Sequence, residues 1–162
     1  MESRVKFLGH AIHPILIVFP LGLLATGVIF DAIYMIWGNG SMAVVAFWMI
    51  FAGIIGGVLS APFGWIDWFA IPSGTRAKSV GLIHGLGNTL VLILFAASCW
   101  LRYDAPQAPG LWDHVFSFAG ALLSGITGWL GGELVGRLGV GVDDNANLDA
   151  PNSLTGSPVG RS

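Results

Sequence analysis

The spacing of charge constrains this chain more than anything else in it. No Asp, Glu, Lys or Arg occurs from Phe7 to Phe30, Ala32 to Ile66, Ser79 to Leu101 or His114 to Gly132, gaps of 24, 35, 23 and 19 residues. About 20 apolar residues in helical form span a bilayer core, at roughly 1.5 Å each. Gly38-Asn39-Gly40-Ser41 is a turn signal inside the second gap and reduces it to one crossing. The spacing therefore predicts four helices over about 12–37, 43–68, 79–101 and 112–136. Short connections make neighbours antiparallel, giving an all-α integral membrane four-helix bundle of up-down-up-down order. Composition points the same way: charged residues make up 10% and hydrophobic residues 54%, against about 25% charged in a soluble domain. A water-soluble globule and a largely disordered chain are both excluded. The apolar run after Arg4 and Lys6 is long for a signal-peptide core and contains His13, Pro14 and Pro20, so it reads as a retained helix.

Residues 1–140 form the transmembrane domain. Residues 141–162, rich in Gly, Pro, Asn, Asp and Ser, read as a cytoplasmic tail that stays flexible unless a partner holds it. Four crossings put Arg4, Lys6, Arg76, Lys78, Arg137 and Arg161 on one side and Arg102 alone on the other. The positive-inside bias places both termini in the cytoplasm, with the chain in a bacterial inner membrane. A net charge of -2 gives no basic field for nucleic acid. The single Cys99 allows neither an intrachain disulfide nor a cysteine-built metal centre.

Small residues recur every fourth position: Gly120, Ser124, Gly128, Gly132 and Gly136 in the fourth helix, Ala52, Gly56, Ser60 and Gly64 in the second, and Ala77, Gly81 and Gly85 opening the third. Such ladders let helices approach closely in lipid, within the bundle or against other membrane subunits. Leu59-Ser60-x-x-x-Gly64-Trp65-Ile66 matches Leu123-Ser124-x-x-x-Gly128-Trp129-Leu130. This match, with His13 and His84 at similar helix starts, suggests two repeated parallel hairpins.

The polar residues that carry a functional argument share one level. His10 and His13 open the first helix, Asp67 closes the second, His84 and Asn88 open the third, and Glu133 closes the fourth. Ionisable groups in apolar spans are costly and face a bundle interior or a cavity. Each also has a plain structural explanation. His10 and His13 are interfacial helix starts, His84 is a hydrogen-bond donor to Asp67 or Ser60, and Asn88 is interhelical glue. Asp67 pairs with Arg76 or Lys78, and Glu133 with Arg137. Asp31, Tyr34, Arg102, Asp104, Asp113 and His114, at the opposite level, read as a solvated rim.

Three functions follow. In the first, His13 and His84 are axial ligands of one b-type haem near the cytoplasmic leaflet, with Asp67 or Asn88 fixing the imidazole tautomer. In the second, the protein is an accessory subunit without cofactor, docked through its glycine ladders and tail. In the third, His10, His13, His84 and Glu133 bind a divalent metal or handle protons. No HExxH, P-loop, dinucleotide fingerprint or nucleophile elbow is present, so independent enzymatic activity is not expected.

The ordered motifs Gly9-His10-x-x-His13-Pro14-x4-Phe19-Pro20, Gly64-x-x-Asp67-Trp68-x-x-Ile71-Pro72-x-Gly74-Thr75, His84-Gly85-x-x-Asn88 and Gly131-Gly132-x-Leu134-Val135-x5-Gly141-Val142 resemble the bacterial predicted membrane proteins called domain of unknown function 2231. The resemblance covers about residues 7–142 and implies a small four-helix membrane protein. Relatives that look fused to Rieske-type iron–sulfur domains add an implied association with electron transfer, by analogy alone.

Overall fold

The computed structural model describes residues 1–154. Two short antiparallel strands, β1 (Lys6–Phe7) and β2 (His10–Ala11), turn through Leu8 and Gly9, both at positive φ. They lead into α1 (Ile12–Leu16) and α2 (Val18–Trp37), followed by α3 (Gly40–Ala70), α4 (Arg76–Leu101) and α5 (Leu111–Gly136). All four expected helices are present, each long and apolar enough to cross a membrane.

One break and two helix starts differ from the hydropathy reading for identifiable reasons. The first crossing is interrupted at Ile17, because Pro20 has no N–H to offer the Leu16 carbonyl. The third and second crossings begin earlier than expected, at Arg76 and Gly40. Thr75 Oγ1 accepts from the Lys78 N–H at 3.2 Å and Asn39 Oδ1 from the Ser41 N–H at 3.0 Å. These caps, not the loss of apolar character, set the helix starts.

α2 packs chiefly on α3, and α4 on α5; the two hairpins then meet through α3 with α4 and, more sparsely, α2 with α5. Leu24, Phe47, Ile50, Val91, Phe95 and Cys99 form the buried core. Glycines set the spacing inside each hairpin. A Cβ on Gly53 would lie 2.7 Å from the Leu24 side chain, and one on Gly120 2.9 Å from Phe95.

Those two contacts are equivalent, and they belong to a series. Leu24 corresponds to Phe95, His13 to His84, Gly27 to Ser98 and Asp31 to Arg102, all at one constant separation along the chain. Their partners in the second helix of each hairpin, Gly53 with Gly120, Ser60 with Thr127 and Gly64 with Gly131, run at another. Two parallel hairpins thus repeat about an axis along the bundle. The register differs from the sequence match, which paired Ser60 with Ser124. The packing pairs Ser60 with Thr127, about one turn further on, because contact is decided by which helix face meets the core and not by the Gly-Trp dipeptides.

Asp31 and Arg102 are buried, at 0% and 1% exposure, as are Asp113 and His114. This corrects the expectation of a solvated rim. Arg102 grips Asp31 with both terminal nitrogens, at 2.7 and 3.0 Å. Ser117 Oγ donates to Asp31 at 2.8 Å, and Ser98 Oγ accepts from Arg102 at 2.8 Å. Equivalent residues that touch each other must lie on the axis relating them, so this ion pair marks the axis at the end remote from the termini.

The end near the termini is covered by the chain's own ends. The Met1 amine donates to the Gly139 carbonyl at 2.9 Å, and the Gly141 N–H returns a bond to the Met1 carbonyl at 2.9 Å. Lys6 pairs with Glu2 and, at 3.6 Å, with Asp143. The described part of the tail therefore lies against the N-terminal segment of the same chain. Residues 155–162 of the expected tail fall outside the described residues.

Candidate functional site

Beneath that cover lies a cavity of about 370 Å³, within the roughly 300–1,000 Å³ of small-molecule sites. Its wall is almost wholly apolar; the polar side chains on it include His13, Asp67, His84 and Asn88. It sits where the start of α1–α2, the end of α3, the start of α4 and the end of α5 converge.

The two histidines are held alike. His13 Nδ1 lies 3.1 Å from the Ser60 carbonyl of α3, and His84 Nδ1 lies 2.8 Å from the Thr127 carbonyl of α5. Each carbonyl belongs to a helix interior and uses its second lone pair for the ring. Such an approach needs a missing side chain one turn on. A Cβ on Gly64 would come within 2.8 Å of His13 Cε1, and one on Gly131 within 3.1 Å of His84 Cε1. A carbonyl can only accept, so in the neutral ring Nδ1 carries the proton and Nε2 keeps its lone pair. The backbone, at two glycine notches, therefore fixes both tautomers.

Asn88 braces one of the rings. Its Oδ1 accepts from Thr127 Oγ1 at 2.8 Å, which orients the amide nitrogen toward His84. That nitrogen lies 3.4 Å from Nδ1 and 3.1 Å from Nε2. A point so nearly equidistant from both ring nitrogens lies over the ring face, leaving the in-plane lone pair of Nε2 clear. His84 makes its interhelical bond to Thr127, not to Asp67 or Ser60.

The other candidate residues are occupied elsewhere. Asp67 reaches the cavity wall, but its carboxylate accepts from Ser3 Oγ at 2.7 and 2.9 Å and from the Arg4 N–H at 2.7 Å. It anchors the N-terminal segment and, among the described residues, bonds to neither imidazole. Glu133 accepts from Arg76 at 2.6 Å and pairs with Arg137 at 3.4 Å, tying the start of α4 to the end of α5. Lys78 turns instead to Trp68, lying 3.9 Å from its ring centre and donating to its carbonyl at 2.8 Å. His10 lies outside the cavity, its Nε2 3.3 Å from Ser153 Oγ. Among the described residues no group of three or more His, Cys, Asp or Glu side chains is arranged to hold a metal ion.

What sequence reasoning missed is the notch and its partners, Ser60, Gly64, Thr127 and Gly131. The signal available was a small residue four positions after a hydroxyl residue in both second helices; the misregistered repeat concealed it. Sequence reasoning also missed the buried Asp31–Arg102 pair. At that end, His114 Nδ1 lies 3.8 Å from Asp31, and neither it nor Arg102 Nε has a hydrogen-bond partner among the described residues.

Residues 9–144 match the family described as Predicted membrane protein (DUF2231). No curated protein and no solved structure matches the chain.

Proposed function

The chain belongs to the DUF2231 family of predicted membrane proteins, and from that membership and the paired imidazoles we propose that it is a redox-associated subunit of a bacterial membrane complex, holding one b-type haem between His13 and His84. The observation that carries this reading is the equivalence of the two histidines. Each has Nδ1 held by a helical carbonyl at a glycine notch, which leaves Nε2 as the unprotonated nitrogen of the neutral ring, and both line one cavity. Two related imidazoles about an axis suit the two faces of a planar metal macrocycle, and facing helices of bundles commonly supply such ligands. The fixed tautomer and the hydrogen bond behind each ring are what a metal-ligating histidine requires. Haem, when bound, supplies a one-electron iron couple. The protein's own residues orient the ligands, exclude water with an apolar wall, and brace His84 through Asn88 and Thr127. The site lies at the end of the termini, which the Lys and Arg distribution assigns to the cytoplasmic leaflet.

The test is spectroscopic. Protein from haem-sufficient cells, extracted in mild detergent, shows a Soret band and sharp reduced-minus-oxidised bands of a six-coordinate haem. His13→Ala and His84→Ala each abolish that signature. Wild-type protein that folds without a Soret band ends the haem reading, and elemental analysis of the same sample reports any divalent metal in its place.

A further inference from the structure

The equivalence of the two histidines stops at their rings. The backbone that carries His84 is tied on both sides. Toward α3, Trp65 packs over Gly85 and Trp68 over Gly81, where a Cβ would lie 3.1 and 2.8 Å from the indoles. Trp68 Nε1 also donates to the Lys78 carbonyl at 3.0 Å. Toward α5, Arg76 pairs with Glu133, and Thr127 donates to Asn88. Beyond His84, α4 runs on without a break and buries Val91.

His13 instead rides on the five residues of α1, none of them buried. In the register of the repeat, Ile17 stands where Asn88 does and Pro20 where Val91 does. Each change removes a restraint. Ile17 has no amide to brace the ring, and Pro20 has no N–H for the Leu16 carbonyl, so the helix is interrupted at Ile17. Pro20 itself is buried and lies against Gly56, whose Cβ would be 3.2 Å away. At its other end α1 joins the β1–β2 hairpin, whose lead-in Asp67 anchors at Ser3 and Arg4. It is therefore a short link between two anchored pieces. Its own ring bond, from His13 to Ser60, spans 3.1 Å, against 2.8 Å for His84.

We propose that His84 is the permanent ligand in the cavity and His13 the exchangeable one, withdrawn as α1 tilts about Ile17 so that a neutral diatomic gas takes its place. This rests on the haem reading above and assigns its two ligands different duties. The exchange breaks the bond between His13 Nε2 and iron and forms one between the gas and the same iron; no electron or proton is transferred. The gas is neutral because the wall around His13, with Pro14, Ile17, Leu21, Gly57 and Ala61, is apolar and compensates no charge.

The experiment reads which histidine lets go. His13→Ala and His84→Ala both lose the six-coordinate bands, and they part in what remains. His13→Ala is expected to keep a Soret band of haem held from one side and to bind carbon monoxide faster than wild type. His84→Ala, with helicity unchanged, is expected to take up no haem. Reduced wild-type protein in nanodiscs is expected to bind carbon monoxide. Pro20→Ala, which returns the missing N–H and joins α1 to α2, binds it at least tenfold more slowly. Where Pro20→Ala fails to fold, Ile17→Asn serves, since it gives His13 the amide that His84 has. The hinge is also read in haem-free protein. The Ile17 amide, bonded to the His13 carbonyl at 3.1 Å, is expected to exchange at least tenfold faster than the equivalent Asn88 amide, each corrected for its intrinsic rate. Equal exchange overturns the hinge, as does carbon monoxide binding that neither substitution slows. Wild type that holds six-coordinate haem but refuses carbon monoxide, or haem retained by His84→Ala, overturns the assignment and leaves the haem reading standing. Wild type without a Soret band ends both.

Discussion

Asp31 and Arg102 show how much a single pair of side chains decides here. With both charges fully buried, each is compensated chiefly by the other, with Ser117 donating to Asp31 and Ser98 and the Asp113 carbonyl accepting from Arg102. Removing one partner leaves a bare charge in a low dielectric, a loss of about 3–5 kcal/mol. Asp31→Ala is therefore expected to fall by that amount in reversible denaturation in mixed micelles, and the double change Asp31→Leu with Arg102→Met to recover most of it. The pair was visible in the sequence only as charges bordering apolar gaps. Hydropathy scores a charge at a helix end identically whether it points to water or to the axis, so its burial was not legible. His13 and His84 were legible, since a histidine inside an apolar run is costly wherever it points. Their partners were not, because a backbone carbonyl has no letter. A Gly64→Ala variant tests that partnership: the added methyl is expected to displace the His13 ring and weaken haemin binding at least tenfold with little loss of helicity.

At the level of elements, the helical glycines looked alike in the sequence but differ in the packing. Gly53 and Gly120 are pressed against Leu24 and Phe95, whereas among the described residues nothing comes within 4 Å of a Cβ on Gly125 or Gly136. Gly53→Ala is expected to cost about 1–3 kcal/mol through overpacking. Gly125→Ala and Gly136→Ala are expected to be neutral or to gain up to about 1 kcal/mol from helix propensity; thermal denaturation in detergent separates the two groups. The helices themselves were almost wholly legible, because length and apolarity are properties of the letters. Their ends were less so. Capping by Thr75 and Asn39 begins the helices within polar sequence that hydropathy assigns to loops.

For the molecule as a whole, the cover over the cavity depends on charges at both ends of the chain. Asp143 is held below the usual carboxylate range, first by the Asn145 N–H and then by neighbours including Lys6. Lys6 is held above its usual range chiefly by its hydrogen bond to Glu2. A lowered carboxylate pKa contributes stability above its unfolded value and loses it as pH falls through the folded one. A raised lysine contributes below its unfolded value and loses it only in strong base. The cover is therefore expected to loosen below about pH 4 and hold through neutrality. Exchange of the Gly141 amide, corrected for its intrinsic rate, would speed up in acid more than that of core amides such as Val91. A Gly141 amide equally protected at pH 3 and pH 7 would refute this.

The ion pair on the axis has one more consequence. Positions that correspond by the repeat carry opposite charges and meet each other. Two copies of the first hairpin, assembled the same way, would bring carboxylate against carboxylate; two copies of the second would oppose guanidinium to guanidinium. Cut in the 71–75 turn and co-expressed, the halves should choose each other and refuse their own kind, so that what began as a doubled pattern can no longer be rebuilt from either half alone.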